Sequence, residues 1–297
     1  MPGTAPAFPA ASLDDAALAA AIAAGAGQVL RDVRADLGRP HLVGTSAGTG
    51  LGAAGDAASQ AWIAGALAHA RPADAVLSEE AADVGSRTTS DRVWIVDPLD
   101  GTREFAERRA VGDRPPEWRD DFAVHVALWE RGVPRSDGLA AGAVGLPARG
   151  AVLSTAMPDG GRLLPAADVA AILSGRRPLR LAASRSRPPQ FVQELAARGH
   201  VELVPMGSAG VKVVSVVEGT VDAYVHAGGQ YEWDSAAPVA VALAAGLECT
   251  RLDGTPLEYN RQDPWLPDLF VCHPAVAAHL RAALAGVGVD IKEGAQP

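Results

Sequence analysis

Acidic residues stand at the ends of three apolar runs in this chain, spaced so that they could gather a hard cation. Asp97-Pro98-Leu99-Asp100-Gly101-Thr102 closes the run Val93-Trp94-Ile95-Val96. Ser78-Glu79-Glu80 closes Ala75-Val76-Leu77, and Glu232-Trp233-Asp234-Ser235 leads into the apolar stretch that begins at Ala236. A strand ending at Asp97 delivers one carboxylate to a sheet edge. Pro98 fixes a turn, and Asp100 returns a second carboxylate beside Gly101 and Thr102, whose amides open the next segment. Carboxylate oxygens suit Mg²⁺, which keeps positions open for substrate phosphate, and free N–H groups at a helix start suit the phosphate itself. The plain reading of any one of these acids is a turn, a helix cap or a solvated charge. Acids at the ends of three separate elements are what a multi-metal site needs.

Taken together, the Ser78-Glu79-Glu80, Asp97-to-Thr102 and Trp233-Asp234-Ser235-Ala236-Ala237 segments resemble the lithium-sensitive inositol monophosphatase superfamily. Within it, Arg103-Glu104-Phe105, Gly207-Ser208-Ala209-Gly210-Val211-Lys212 and the Glu-Trp-Asp form of the third segment are similar to the CysQ-type 3′-phosphoadenosine 5′-phosphate (PAP) phosphatases, notably the actinobacterial ones. Inositol monophosphatases more often carry Asn where Glu104 stands. The resemblance implies a layered αβαβα sandwich and phosphomonoester hydrolysis of a small phosphorylated substrate, PAP to AMP and phosphate in sulfur assimilation. Inositol phosphates and fructose 1,6-bisphosphate are the alternative substrates.

The resemblance also implies roles, residue by residue. Glu79, Asp97, Asp100, Asp234 and the Leu99 carbonyl become ligands of two Mg²⁺ ions. Thr102, with Asp56 behind it, orients the attacking water, and the Gly101 and Thr102 amides hold the phosphoryl oxygens. Ser208, Lys212, Arg185 and Asp234 contact the rest of the substrate. Inositol monophosphatases have a lysine in the loop ahead of the Asp56 position, and residues 41–55 contain none, so a third ion stays open.

Other chemistries find less support. Gly50-Leu51-Gly52-Ala53-Ala54-Gly55 has dinucleotide-fingerprint spacing, which makes an NAD-dependent oxidoreductase the rival class, yet only His41-Leu42-Val43 is available as the strand the fingerprint requires. There is no Walker lysine loop, no Gly-x-Ser-x-Gly elbow and no His-x-His or His-Glu-x-x-His spacing, so His125 and His226 read as structural. An inactive metal-binding relative should have lost a ligand or Thr102, and all are present. The arginines at 176, 177, 180, 185 and 187 read as a solvated face from which one, Arg185, approaches substrate.

The elements that must position these residues fit within 297 residues, of which 48% are hydrophobic and 21% charged. That suffices for one large or two moderate units. The reading divides the chain into an α+β part, 1–160, carrying the metal motifs, and an α/β part, 161–297, carrying Asp234. Residues 12–37 read as a helix with Ser12 and Asp15 as a capping box and Gly38 and Pro40 as its stop. A glycine-rich loop spans 44–55, a second helix 56–70 with Asp56 at its start, and a polar arginine-rich loop 106–119. Strands follow at 122–129 and within 139–155. Beyond 163, strands at 179–183, 201–205 and 221–225 alternate with helices at 189–197, 209–218 and 235–245, and a strand near 268–272 and a helix after Pro274 close the chain.

A net charge of −9 argues against a nucleic-acid polymer as partner. No basic leader or apolar run of eighteen residues stands out, so no membrane association is expected. Two cysteines, Cys249 and Cys272, form no disulfide or zinc pattern, which fits the cytoplasm. A monomer and a homodimer both stay open.

Overall fold

Along the first half of the chain run α1 (Asp15–Leu37), α2 (Ala47–Ala70), β1 (Ala75–Ser78), β2 (Arg92–Asp100), α3 (Thr102–Ala106), β3 (Arg108–Val111), β4 (Arg114–Trp118), β5 (Ala123–Glu130), β6 (Leu139–Leu146) and β7 (Ala151–Ser154). The second half contributes α4 (Ala166–Leu173), β8 (Leu179–Ser184), α5 (Gln190–Ala197), β9 (Val201–Met206), α6 (Ala209–Val217), β10 (Ala223–Tyr231), α7 (Glu232–Ala244), β11 (Glu248–Thr250), β12 (Trp265–Cys272) and α8 (Pro274–Gly286). The computed structural model describes residues 5–37, 47–83, 85–112, 114–134, 138–156, 163–186, 188–199 and 201–289.

Five layers result. One sheet has the order β1-β2-β5-β6-β7, with β1 parallel to β2 and the other pairs antiparallel. α1 and α2 cover its outer face, and α6 and α7 lie against its inner face. The second sheet, β11-β12-β10-β8-β9, packs on the other side of α6 and α7, and α4, α5 and α8 close the far face. The expected αβαβα sandwich is therefore the observed one. The boundary placed near residue 160 lies outside the described residues, and one sheet falls on each side of it.

Helices on both faces explain why β2 opens on the continuous apolar run Val93 to Val96, since every residue from Val93 to Asp100 is buried. In α1, Leu18, Ile22, Ala26 and Leu30 recur every fourth position and are fully buried. α1 is the one helix among the described residues long and apolar enough to cross a membrane, and that buried face accounts for its apolarity. Its cap differs from the expected box, because Asp14 Oδ1 accepts from Ala17 N at 2.8 Å, a side-chain oxygen satisfying a first-turn amide. The Gly38–Pro40 stop lies outside the described residues.

Close approach of α1 to β6 depends on Gly145, where a Cβ would lie 2.9 Å from the Ala23 carbonyl oxygen, a backbone atom that cannot swing aside. Gly145→Ala should therefore destabilise by about 1–3 kcal/mol, as overpacking does, and lower the urea midpoint with little change in slope. An unchanged midpoint would show that α1 shifts freely on the sheet.

Three expectations need correction. Residues 47–55 are helix, so α2 starts well before Asp56, which is no helix cap. Gly52 and Gly55 serve packing instead: a Cβ on Gly52 would lie 2.7 Å from Thr102 Cγ2, and one on Gly55 would lie 2.7 Å from Phe105 Cε1. This also removes the dinucleotide reading, which needs a strand-to-helix turn where a helix stands. Residues 106–119 contain a two-stranded hairpin, β3–β4, steadied by Arg108 over the Trp118 ring at 4.2 Å, a cation–π contact. Finally, Pro98 does not end the strand, because β2 continues to Asp100.

Candidate active site

In an unbroken strand, residues 97 and 100 would point to opposite faces. The β2–β5 register pairs Asp97 with His125 and Asp100 with Ala123, so β2 carries one residue more than its partner. That bulge, around Pro98 and Leu99, restores the parity and turns both acids to one side; proline is tolerated there because a bulge needs no ladder N–H. Asp97 Oδ1 accepts from Leu99 N at 2.9 Å, and the Ser59 hydroxyl donates to the Pro98 carbonyl at 2.7 Å. Gly101 follows at φ 93°, a left-handed conformation that suits glycine, and turns the chain into α3.

Asp234 arrives from the first turn of α7, its Oδ2 accepting from Tyr231 N at 2.6 Å. Oxygens of Asp97, Asp100 and Asp234 lie within 4.8 Å of one another. Glu79, just past the end of β1, lies beside Asp97. Burial and the repulsion of its neighbours push Asp97 well above the usual carboxylate range. Burial and Asp100 push Asp234 up to about 7. Loss of water contact, with Asp100, Glu80 and Asp56 adding repulsion, brings Glu79 to about 7. An all-oxygen donor set crowded this closely is unfavourable by itself and fits a hard divalent cation such as Mg²⁺.

His125 lies beneath these acids, fully buried. Its Nδ1 is 3.0 Å from the Trp233 carbonyl, which can only accept, and its Nε2 is 3.3 Å from Asp100 Oδ2. Burial lowers its pKa, with Asp100 opposing. A Cβ on Gly210 would overlap the imidazole at Nε2, so α6 can approach only through glycine. Isolated on its strand, His125 reads as structural in sequence; the one signal of its place is its β5 position across from Asp97.

The Thr102 hydroxyl is 3.3 Å from both Asp56 Oδ1 and the Leu99 carbonyl, either of which it can donate to. Burial and Glu80 raise Asp56 to about 6, with the Thr102 hydrogen bond opposing. Ser208, held at φ 50° in a sparsely populated backbone region, caps α6 by accepting from Val211 N and donates to Asp100 Oδ2 at 2.5 Å, while Gly210 N donates to the same oxygen. Lys212 is buried, donates to the Ser208 carbonyl at 2.8 Å and lies over the Tyr224 ring. Burial lowers its pKa while Asp100, Glu104, Asp121 and Asp234 oppose. Asp121, which sequence reasoning passes over, holds this turn from below by accepting from Gly207 N at 2.7 Å. Asp100, Gly101, Ser208, Lys212 and Asp234 line one end of a cleft of about 540 Å³.

Arg185 adjoins the cleft through Glu104, which lines it. Its Nη2 donates to Glu104 Oε1 and Glu107 Oε2, both at 2.7 Å, and it is not part of the cleft wall. The two flanking glutamates hold it as a brace between β8 and α3. Arg177 and Arg180 grip the buried Asp222, so these members of the arginine run hold the fold together, while Arg187 lies outside the described residues.

Fold, acid cluster and cleft match one class: the chain belongs to the inositol monophosphatase family, whose model covers residues 12–285. Among its relatives, the chain is 45% identical over 268 residues to the 3′-phosphoadenosine 5′-phosphate phosphatase of Mycobacterium bovis, a match that spans 88% of this chain and 89% of that protein. It is 43% identical over 289 residues to the Mycobacterium leprae protein of the same name, at 93% and 96% coverage. CysQ from Bacteroides thetaiotaomicron, a bacterial member of the family, has a similar solved structure: TM-score 0.67, 26% identity, covering 87% of this chain and 97% of that one.

Proposed function

We propose that this protein is a Mg²⁺-dependent phosphomonoesterase that removes the 3′-phosphate of PAP, leaving AMP and phosphate. The observation that carries the reading is the convergence of Asp97, Asp100 and Asp234, from a bulged strand and a helix start, with Asp100 and Asp234 lining one cleft. The names of the mycobacterial relatives support PAP as the substrate.

Asp97, Asp100, Asp234, Glu79 and the Leu99 carbonyl are the proposed ligands, and two or three Mg²⁺ ions held there would supply Lewis-acid polarisation and a more acidic water. With its proton directed to Asp56, the Thr102 oxygen keeps lone pairs for the attacking water and fixes its approach. The Gly101 and Thr102 amides face the phosphoryl oxygens. Ser208 and Gly210 N hold Asp100, so the second half of the chain sets the orientation of a carboxylate from the first. Lys212 has N–H groups to spare beyond its bond to Ser208 and supplies positive charge at the cleft wall for the substrate's other phosphate.

Phosphate release from PAP, inositol 1-phosphate and fructose 1,6-bisphosphate, assayed in parallel with Mg²⁺, tests the reading. A charge-assisted contact worth about 1.5–3 kcal/mol predicts a roughly ten- to hundredfold higher kcat/KM for PAP. Equal values for PAP and inositol 1-phosphate would overturn the substrate and leave the phosphatase standing.

A further inference from the structure

The far wall of the cleft carries groups that the reaction at the carboxylates leaves unused. Trp265, at the start of β12, and Tyr231, paired with it across the sheet at the end of β10, are 45% and 42% exposed, against a core in which most large apolar side chains are shut away. Their rings meet edge to face at 5.4 Å, and Tyr231 also stacks on Trp233 at 4.6 Å, both of them preferred aromatic geometries. Beside them Gln230 is nine-tenths buried, yet its Nε2 has no hydrogen-bond partner among the described residues. A buried amide donor left unpaired costs free energy that a ligand acceptor would return. All three residues line the same cleft as Asp100, Lys212 and Asp234.

The local backbone is shaped to produce this wall. β10 carries one extra residue between Ala227 and Gln230, with Gly228 and Gly229 at φ 106° and 89°, a bulge that bends the strand. His226 Nε2 lies 2.9 Å from the Gly229 carbonyl, which pins the bulge. A Cβ on Gly229 would overlap Trp265 at Cζ2, so the indole lies on a floor that only glycine provides.

Resting on the phosphatase reading above, we infer that Trp265, Tyr231 and Gln230 form a subsite for a flat heteroaromatic base, the adenine of a nucleotide whose 3′-phosphate sits at the carboxylates. The indole face stacks on the base, and Gln230 Nε2 donates to a ring nitrogen. A base has the π-face and acceptor nitrogens that this wall is built to meet, and an inositol ring has neither. The cleft, at about 540 Å³, is of the size that small-molecule pockets take and has room for more than a bare phosphoryl group.

Trp265→Leu, which keeps an apolar side chain at an exposed position, tests the subsite with Trp265→Phe as the rescue. The ratio of kcat/KM for PAP to that for inositol 1-phosphate should fall about five- to hundredfold in the leucine variant and recover in the phenylalanine variant, the range expected for base stacking. Calorimetric binding supplies an arm independent of turnover: AMP affinity should drop by a similar factor relative to ribose 5-phosphate. An unchanged ratio together with unchanged AMP affinity would overturn the subsite, as would equal losses for substrates with and without a base. Absence of turnover on every phosphate ester would count against the phosphatase reading, and the AMP and ribose 5-phosphate comparison would still decide the subsite.

Discussion

Asp97→Asn is expected to abolish Mg²⁺-dependent phosphate release and, at neutral pH, to make the metal-free protein more stable. Loss of a ligand removes several kcal/mol of transition-state stabilisation, and each step of about 1.36 kcal/mol is tenfold, so turnover should fall by roughly a thousandfold or more. The stability change has the opposite sign because Asp97 is buried among Asp100, Glu79 and Asp234, whose charges repel its own. The folded-state pKa values are raised, so the protonated carboxyls favour folding: that contribution is complete below the unfolded value of about 4 and is lost as pH climbs through the folded one. For Asp234 and Glu79 the window runs up to about pH 7. Metal-free wild type should thus lose melting temperature between about pH 4 and 7, the asparagine variant should lose less, and Mg²⁺ should stabilise the wild type at pH 7. An active, Mg²⁺-responsive Asp97→Asn protein would remove the ligand assignment.

Thr102→Ala should lower kcat by about a hundredfold or more with a much smaller rise in KM. The hydroxyl sits 3.3 Å from Asp56 Oδ1 and is assigned to the attacking water, so its loss falls in the transition state. Capping is not its task, since Gly101 holds that position of α3. A merely structural hydroxyl predicts a stability loss of about 1 kcal/mol with turnover kept. Thr102→Ser, which retains the oxygen, should recover most of the rate. Kinetics and melting on one preparation separate the two outcomes.

The Asp97-to-Thr102 segment is legible in the sequence because residue types and their order carry its chemistry: an apolar run, two acids, a glycine and a hydroxyl. Alternating β8, β9 and β10 with α5, α6 and α7 are legible from hydrophobic rhythm. The geometry that makes Asp97 and Asp100 partners is not. Alternation assigns them to opposite faces, and only the register against β5 reveals the extra residue. Gly50, Gly52 and Gly55 read as a loop because glycine is a poor helix former, yet for Gly52 and Gly55 tertiary packing against Thr102 and Phe105 outweighs that preference. Prolines and arginines hide the β3–β4 hairpin, and the short helix α4 carries too few periodic positions to stand out. Resemblance draws Arg185 to the substrate, and the grip of two glutamates distant in sequence is not legible there. The wall of Gln230, Tyr231 and Trp265 depends on a bulge and a cross-strand pairing that no linear pattern displays.

Everything proposed for the site depends on the carboxylate cluster holding Mg²⁺ to hydrolyse a phosphomonoester. The most direct test is phosphate release from PAP by purified protein, stripped with a chelator and then titrated with Mg²⁺. No release is expected after stripping, with a saturable return of activity as Mg²⁺ is added. The same rate of release with and without the metal would contradict it.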